Sequence, residues 1–182
     1  MAKRVSSIYG DALFSLALEE GMMDELTEEV RMSRQIFLEN EALLQLLNHP
    51  EIIKEEKIAL VEEVFQGRVS QEMSGFLHVI ITKDRYNDIP SIFEYFLEKV
   101  KKYKKIGTAS VTSAVALTAE QKAAVEKRLL EVTDYHSFEI AYEVKPEIIG
   151  GLIIRLDDRV VDSSLKTQID TLSRQLSRIQ LS

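Results

Sequence analysis

The segment 146–164, PEIIGGLIIRLDDRVVDSS, concentrates the side chains of this sequence that enzymes use most often. It contains a pair of glycines, a pair of aspartates, a pair of serines and two arginines. Glycines let a loop wrap around a phosphate, paired carboxylates act as general acid and base, and a serine beside a base is a nucleophile. Each of these three possibilities has to be weighed against a purely structural role.

The glycine pair, Gly150 and Gly151, does not belong to a phosphate-binding loop. The surrounding sequence lacks the G-x-G-x-x-G pattern and the Gly-Lys-Ser/Thr ending of a P-loop. The glycines lead instead into Leu152, Ile153 and Ile154, which are predicted to form a strand. This arrangement predicts a bulge or a close approach of two backbone segments.

The aspartates and serines are better explained as turn and helix-cap residues. Adjacent residues on a strand point to opposite faces, so Asp157 and Asp158 cannot act on one reacting group there. Between two apolar strands they predict a hairpin turn. Ser163 and Ser164 lack the glycine-framed elbow of a nucleophile, and together with Asp162 they stand directly before a helical pattern as N-cap residues.

The rest of the composition offers no other site. The 3 histidines are scattered, there is no cysteine, and no metal-binding pattern such as H-E-x-x-H occurs. We therefore predict no catalytic residue, no metal ligand and no cofactor. The lack of a catalytic arrangement favours an interaction protein.

Charge and hydropathy restrict the partners. The net charge is −7, and residues 1–98 hold 9 Lys and Arg against 19 Asp and Glu, whereas five lysines crowd into residues 99–105. This balance does not suit a nucleic-acid backbone, and the lysine cluster is predicted to be a solvated helix end. No apolar run reaches the roughly 18 to 20 residues of a membrane span, so no direct membrane insertion is predicted.

From residue 4 to about residue 105, apolar residues recur with helical spacing in six segments. Asp24 is the predicted N-cap of the second helix. Pro50 ends the third helix, Gly67 ends the fourth, and Pro90 lies in the first turn of the sixth. Short connections between these segments predict a helical bundle.

After residue 107 the pattern changes to strands around one helix. TASVTSAVAL and FEIAYEV are strand-like, and the helix between them opens with Thr118 and Gln121 at capping-box spacing. This helix is predicted to bury Val125, Leu129 and Val132. The predicted fold class is α+β, with an N-terminal six-helix bundle over residues 1–105 and a small C-terminal mixed α/β domain over residues 106–182.

Two helices of the predicted bundle have apolar residues on a second face. Phe14 and Leu18 fall nearly opposite the main apolar face of the first helix, at about 100° per residue, and Gly75 and Val79 lie away from the core stripe of the fifth. A partner helix in a groove would cover them, and so would the bundle itself; both readings stay open. If Phe14 is exposed, Phe14→Asp weakens docking without unfolding the bundle. The main face of the first helix is predicted to comprise Val5, Ile8, Tyr9, Ala12, Leu13, Leu16 and Ala17.

The last helix is predicted to have a narrow apolar seam, with residues spaced 4, 3, 4 and 3 apart. Such a seam packs on one flat surface or on one other helix. Docking on the hairpin of the same domain and docking on a long partner helix both stay open. The seam consists of Leu165, Ile169, Leu172, Leu176 and Ile179.

Taken together, these motifs resemble the delta subunit of the F-type ATP synthase, the family of the oligomycin-sensitivity-conferring protein. The most specific match is PEIIGGLIIRLDDRVVDSSLKTQIDTL, and HPEIIKEEK resembles the family's proline motif before its fourth helix. Ala116 stands where proline is common and Ser163 where glycine is common, which affects turn geometry only. The signature residues, implied to be structural, are Gly150, Gly151, Arg155, Asp162 and Ser164.

The resemblance implies a non-catalytic stator, or peripheral stalk, component without a cofactor. In such proteins the N-terminal domain binds the N-terminal segment of an alpha subunit on the catalytic head, and the C-terminal domain binds the end of the subunit b helices. The subunit resists rotor torque while a proton or sodium gradient drives ATP synthesis, and it lies peripherally on the cytoplasmic face of the bacterial membrane. The alpha-binding residues in this chain would be Tyr9, Phe14, Leu18, Gly75 and Val79.

Two other functions stay open from the residues alone. One is an adaptor outside any rotary motor, built from a helical bundle and an α/β module. The other is a small nucleotide-handling enzyme that uses Asp157, Asp158 or the serines. Tight nucleotide binding by the isolated chain would favour the enzyme.

Overall fold

The computed structural model describes the backbone of residues 2–157 and 159–179, and their side chains except those of residues 2, 3, 41 and 176–179. The chain divides into two compact units, Met1–Val100 and Lys101–Ser182. The fold class predicted from the sequence is confirmed, because helices build the first unit and a small mixed α/β arrangement follows. Within the described residues, no helix has the length and hydropathy of a membrane span.

The helices of the first unit end where the sequence contains local stop signals. α3 ends just before His49 and Pro50, and the chain after α4 passes through Gly67 with φ +70°, a conformation that favours glycine. Pro90 is the second residue of α6, where the missing N–H costs no helical bond. The helices are α1 (Ala2–Glu19), α2 (Met23–Glu39), α3 (Glu41–Asn48), α4 (Lys54–Phe65), α5 (Gln71–Thr82) and α6 (Ile89–Tyr103).

The start of α2 differs from the prediction. The helix begins at Met23, so Asp24 lies inside the first turn and is not the N-cap. Its carboxylate is still near the positive end of the helix dipole. A side-chain cap is found instead on α5, where Ser70 Oγ accepts from the N–H of Met73. The Glu29 carboxylate of α2 accepts from the N–H and the hydroxyl of Ser70 at 2.7 and 2.8 Å, so α2 holds the beginning of α5.

One apolar core fills the first unit, and every helix contributes to it. At its centre, the ring of Phe37 lies 5.7 Å from that of Phe65 and 6.3 Å from that of Phe93, in tilted geometries that aromatic pairs favour. Burying one such side chain contributes about 1.5 to 3 kcal/mol. The core therefore fixes the helices relative to one another within this unit.

The described strands of the second unit form one mixed sheet in the order β2-β1-β3-β4. β1 pairs in parallel with β2 and antiparallel with β3, and β3 pairs antiparallel with β4. The elements are β1 (Ile106–Ser113), α7 (Ala119–Val132), β2 (Ser137–Val144), β3 (Leu152–Leu156), β4 (Arg159–Asp162) and α8 (Leu165–Ile179). The predicted helix between two strands is thus the connection that lets β1 and β2 run parallel.

The capping box of α7 is confirmed, but the buried face of this helix is narrower than predicted. Thr118 accepts from the N–H of Gln121, and the Gln121 side chain accepts from the N–H of Thr118. Of the three residues predicted to be buried, only Leu129 is buried, whereas Val125 is half-buried and Val132 is 58% exposed. Val132 is the last residue of α7, so no further helical turn follows to pack beside its side chain.

Residues 1–105 are expected to fold without the rest of the chain. The apolar core of the first unit is formed by side chains between Leu13 and Val100, and a cut after Lys105 leaves α6 whole. A fragment of residues 1–105 should show cooperative thermal unfolding by circular dichroism. A fragment ending at Tyr95 is the control, because it lacks the buried Phe96 and should lose cooperativity. A gradual, non-cooperative melt of the 1–105 fragment would contradict this boundary.

Candidate functional site

The glycine pair lies at a close approach of two backbone segments, as predicted. Gly151 has φ +78°, and a Cβ added there would lie 2.2 Å from the carbonyl oxygen of Ser163. Because that oxygen belongs to the backbone, it cannot turn away as a side chain would. A Cβ added at Gly150 would lie 2.8 Å from Cδ1 of Leu165. The two glycines therefore let the start of β3 lie directly against the start of α8.

Hydrogen bonds complete this junction. The N–H and the hydroxyl of Ser163 both donate to the carbonyl oxygen of Leu152, at 2.9 and 2.8 Å. The N–H of Leu165 donates to the carbonyl oxygen of Gly150 at 2.9 Å. Ser163 is thus used by the backbone arrangement and is not presented as a nucleophile.

Asp162 and Ser164 form the N-terminal cap of α8. Ser164 Oγ accepts from the N–H of Thr167, and the Asp162 carboxylate accepts from the N–H of Ser164 and the hydroxyl of Thr167, both at 2.8 Å. These bonds, the one from the Ser164 backbone first, lower the pKa of Asp162. A carboxylate held in its ionised form by helix-cap donors is a structural group.

The predicted hairpin turn after β3 begins at Asp157, which has φ +50°. Its carboxylate accepts from the Tyr135 hydroxyl at 2.8 Å, and this bond raises the pKa of Tyr135. Asp158, the other member of the predicted pair, lies outside the described residues. Arg155 is exposed on β3, in register with Ser110 of β1. Within the described part of the segment, each of these residues contributes to the fold, and no group of His, Asp or Glu there has metal-binding geometry.

The lysine cluster lies largely at the end of a helix, where carboxylates pair with some of its ammonium groups. Lys101 and Lys102 occupy the last turn of α6, where positive charge complements the helix dipole. Lys101 Nζ lies 2.6 Å from a carboxylate oxygen of Glu139, and Lys99 forms an ion pair with Asp11. This agrees with the structural reading of the cluster.

Phe14 lies in the core of the bundle, so of the two alternatives left open for it, coverage by the bundle itself is the one observed, and a docking face at Phe14 is not. It is 8% exposed, and the ammonium group of Lys99 covers its ring at 4.7 Å from the centroid. α1 is rotated about its axis relative to the prediction: Ile8, which the sequence predicts on the main apolar face, is 59% exposed. The rotation follows from Ser6 and Gly10, whose small size lets α1 approach α6 closely. Two small residues four positions apart are the sequence signal for this contact.

The other four residues predicted for docking remain accessible. Leu18 is 44% exposed and Val79 is 48% exposed. Gly75 is exposed with no atom within 4 Å of an added Cβ, and Tyr9 is half-buried against the core. Tyr9 and Leu18 belong to α1, Gly75 and Val79 to α5, and the inner faces of both helices pack into the same core. We call these four residues the bundle surface.

The apolar seam of α8 is uncovered over its described part. Leu165, Ile169 and Leu172 are all exposed, and the side chains of Leu176 and Ile179 lie outside the described residues. Of the two predicted arrangements, packing of this seam on the hairpin is not observed for the three described side chains. We call Leu165, Ile169 and Leu172 the α8 seam.

An apolar groove of about 440 Å³ adjoins the α8 seam. Gly150 lines the groove and also faces Leu165, so the two apolar features meet there. Ile149 at the edge of the groove is exposed and has φ +67°, which strains a β-branched residue. The other large apolar side chains of the groove belong to Val115, Leu117, Val125 and Leu152.

Comparison with known proteins relates the whole chain to one family. Residues 5–176 match the family described as ATP synthase delta (OSCP) subunit. The ATP synthase subunit delta of Lachnoclostridium phytofermentans is 52% identical over 181 residues, covering 100% of both chains. That of Nostoc sp. is 32% identical over 173 residues, covering 95% of this chain and 94% of its own.

A solved structure supports the fold independently. A chain of the Toxoplasma gondii mitochondrial ATP synthase hexamer superposes with a TM-score of 0.64, covering 94% of this chain and 96% of that one. At 13% sequence identity, this likeness concerns the fold alone. The arrangement of a helical unit followed by a small mixed sheet is therefore found in a second, distant sequence.

Proposed function

The chain belongs to the ATP synthase delta (OSCP) subunit family, a non-catalytic structural subunit of the F-type ATP synthase, and from this premise we propose that it is the stator link of the peripheral stalk. In this role it connects the catalytic head to subunit b and resists rotor torque during ATP synthesis. Family membership favours this role over an adaptor outside a rotary motor and over a small nucleotide-handling enzyme.

The observation that carries the proposal is an uncovered apolar surface on each unit. A link needs two docking surfaces, one for each of the parts that it holds together. The first unit has the bundle surface, and the second has the α8 seam with the adjoining groove. Large apolar residues that stay exposed in this way mark places where other proteins can dock.

We assign the bundle surface to the N-terminal segment of an alpha subunit. Leu18 and Val79 offer apolar anchors, and Gly75 leaves open space where a partner can approach the backbone of α5. An amphipathic helix that buries one face in such a site is a common recognition mode. Phe14 supports this surface from the core instead of contacting the partner.

We assign the α8 seam and its groove to the C-terminal helices of subunit b. The seam has the spacing that packs against one other helix, and it starts beside the groove at Gly150. The cap formed by Asp162 and Ser164 fixes where α8 begins, so the seam is presented in one orientation relative to the sheet of its own unit.

The proposed location is peripheral, on the cytoplasmic face of the bacterial membrane, as part of the membrane-bound complex. The mechanical requirement is then a slow dissociation of both contacts under load. Affinity differences between related complexes lie mostly in the dissociation rate, and a few well-buried apolar anchors dominate it. Neither contact requires a reaction step or a cofactor.

Gly75→Leu is expected to block docking of the catalytic head while leaving the fold intact. Leucine is a better helix former than glycine by about 1 kcal/mol, and no atom of the bundle occupies the space beside Gly75. The larger side chain should therefore raise the thermal midpoint slightly and lower affinity for the head at least about tenfold, measured by calorimetry. Leu18→Asp should also lower affinity, by removing an apolar anchor.

Leu38→Asp is the matched control. Leu38 is an exposed leucine on α2, outside the bundle surface, so the same chemical change there should leave affinity unchanged. Wild-type affinity in both Gly75→Leu and Leu18→Asp would contradict the assignment of the bundle surface. Failure of the wild-type chain to bind the head at all would contradict the proposed function.

A further inference from the structure

α1 and α6 contact each other at a constant register. Each contact on α1 lies four residues after the previous one, and its partner on α6 advances by four residues in the same direction. The two helices are therefore parallel and meet along their i, i+4 rows. The pairs are Ser6 with Ser91, Gly10 with Tyr95, and Phe14 with Lys99.

We call these three pairs the α1–α6 seam. Its middle, at Gly10, has no space for a larger side chain. A Cβ added at Gly10 would lie 2.4 Å from Cδ1 of Tyr95. Glycine is thus required for the ring of Tyr95 to rest on the backbone of α1. One turn earlier, the hydroxyls of Ser6 and Ser91 are 2.8 Å apart, so two small side chains meet directly there.

The carboxylate of Asp11 on α1 bonds two side chains on successive turns of α6. It accepts from the Tyr95 hydroxyl at 3.1 Å and from the ammonium group of Lys99. The Lys99 bond lowers the pKa of Asp11, and donation to Asp11 raises the pKa of Tyr95. Lys99 simultaneously covers the ring of Phe14, so one ammonium group satisfies a carboxylate and an aromatic face of the same helix.

The covalent path between the two units runs through α6. The boundary between them, after Val100, falls inside this helix, which ends at Tyr103 shortly before β1. If the bundle surface holds the catalytic head, which rests on the proposed function, part of the load enters through α1 and has to leave the first unit through α6. Because the contacts are parallel and in register, a pull along the helix axis strains all of them together.

We propose that the α1–α6 seam is the mechanical lock of the subunit, with Asp11 and Lys99 as positioning residues that stop α1 from sliding along α6. The other helices hold the core together, but the direct route for force is this seam. The lock is a property of the first unit itself and can be measured in the isolated full chain.

The test applies force directly across the seam. The chain has no cysteine, so Arg4→Cys at the beginning of α1 and Lys102→Cys at the end of α6, exposed positions at opposite ends of the parallel pair, supply unique attachment points that load the contact along the helix axis. The double variant Asp11→Asn with Lys99→Met should shorten the lifetime under constant load at least about fivefold. Exchanging the two charges, by Asp11→Lys with Lys99→Asp, should restore a large part of it.

The control removes another short ion pair, which is somewhat more exposed than that of Asp11 and Lys99. Lys54→Met with Asp84→Asn breaks a 2.6 Å pair between α4 and the end of α5, off the proposed route, and should leave the lifetime unchanged. An unchanged lifetime in the Asp11 and Lys99 variant, or an equal loss in this control, would overturn the lock.

A second measurement separates the lock from the docking proposal. In the assembled synthase, the Asp11 and Lys99 variant should bind the catalytic head with unchanged affinity and support less gradient-driven ATP synthesis than the wild type. Full synthesis by this variant would overturn the lock even if docking is correct. A wild-type chain that does not bind the head would overturn the docking proposal, while the force measurement would still decide the lock.

Discussion

Phe14→Asp is expected to destabilise the first unit strongly rather than only to weaken a docking contact. Phe14 is 8% exposed and belongs to the apolar core, so the substitution removes a large buried ring and places a carboxylate in its position. Removal of a buried phenylalanine costs about 3 to 5 kcal/mol. Lys99 would offset part of the cost of the new charge, but its ammonium group is already paired with Asp11.

The expected loss of about 4 kcal/mol or more is a large part of the roughly 5 to 15 kcal/mol that stabilises an ordinary domain. Urea unfolding of the full chain, followed by circular dichroism, should show the helical transition at much lower denaturant. Leu18→Asp on the same helix is the matched control, because Leu18 is half-exposed and its replacement should cost less than about 1 kcal/mol. A wild-type midpoint for Phe14→Asp would mean that Phe14 lies on the surface after all.

Much of the fold could be predicted from the sequence because its signals are local. Gly67 and Pro90 mark helix ends through their own backbone geometry, and Thr118 with Gln121 forms a capping box within one turn. The cap at Ser164 is of the same kind. Such signals depend on a few neighbouring residues, so an isolated sequence contains them in full.

The orientation of α1 could not be predicted with the same certainty, because it depends on a distant helix. α1 has large apolar residues on nearly all sides, so its hydrophobic periodicity alone does not select one buried face. The choice is made by Gly10 and Tyr95, which are far apart in the sequence and fit together only in the folded bundle. For the same reason, the helical spacing alone leaves open whether Phe14 faces a partner or the core, and only the fold shows that it lies in the core.

The second unit has a small core compared with its uncovered surface. Among its described side chains, the buried apolar residues are Ala109, Val111, Leu129 and Ile148, whereas Val115, Ile149, Val161 and the α8 seam are exposed. Burial of apolar area is the main favourable term in folding, so we expect this unit to have a small free energy of unfolding. Its backbone junctions therefore matter more than similar junctions in the well-filled bundle, and a bound partner would stabilise it.

Gly151→Ala is expected to destabilise the second unit by about 3 kcal/mol or more. A left-handed conformation costs a non-glycine residue about 1 to 2 kcal/mol, and the added Cβ would also lie 2.2 Å from the carbonyl oxygen of Ser163. Relief requires β3 and the start of α8 to move apart, which breaks the bonds from Ser163 to Leu152 and from Leu165 to Gly150. Hydrogen exchange should therefore accelerate in β3, β4 and the first turn of α8, while the core helices of the first unit stay protected.

Gly67→Ala separates the two causes of this loss. Gly67 has φ +70°, close to that of Gly151, but no atom lies within 4 Å of an added Cβ. Alanine at this position therefore has the conformational cost without the collision and should destabilise its own unit by about 1 kcal/mol. Equal losses for the two variants would mean that β3 and α8 are not held together at Gly151. A larger loss at Gly151, accompanied by weaker binding of subunit b and unchanged binding of the catalytic head, is expected if this junction positions the α8 seam.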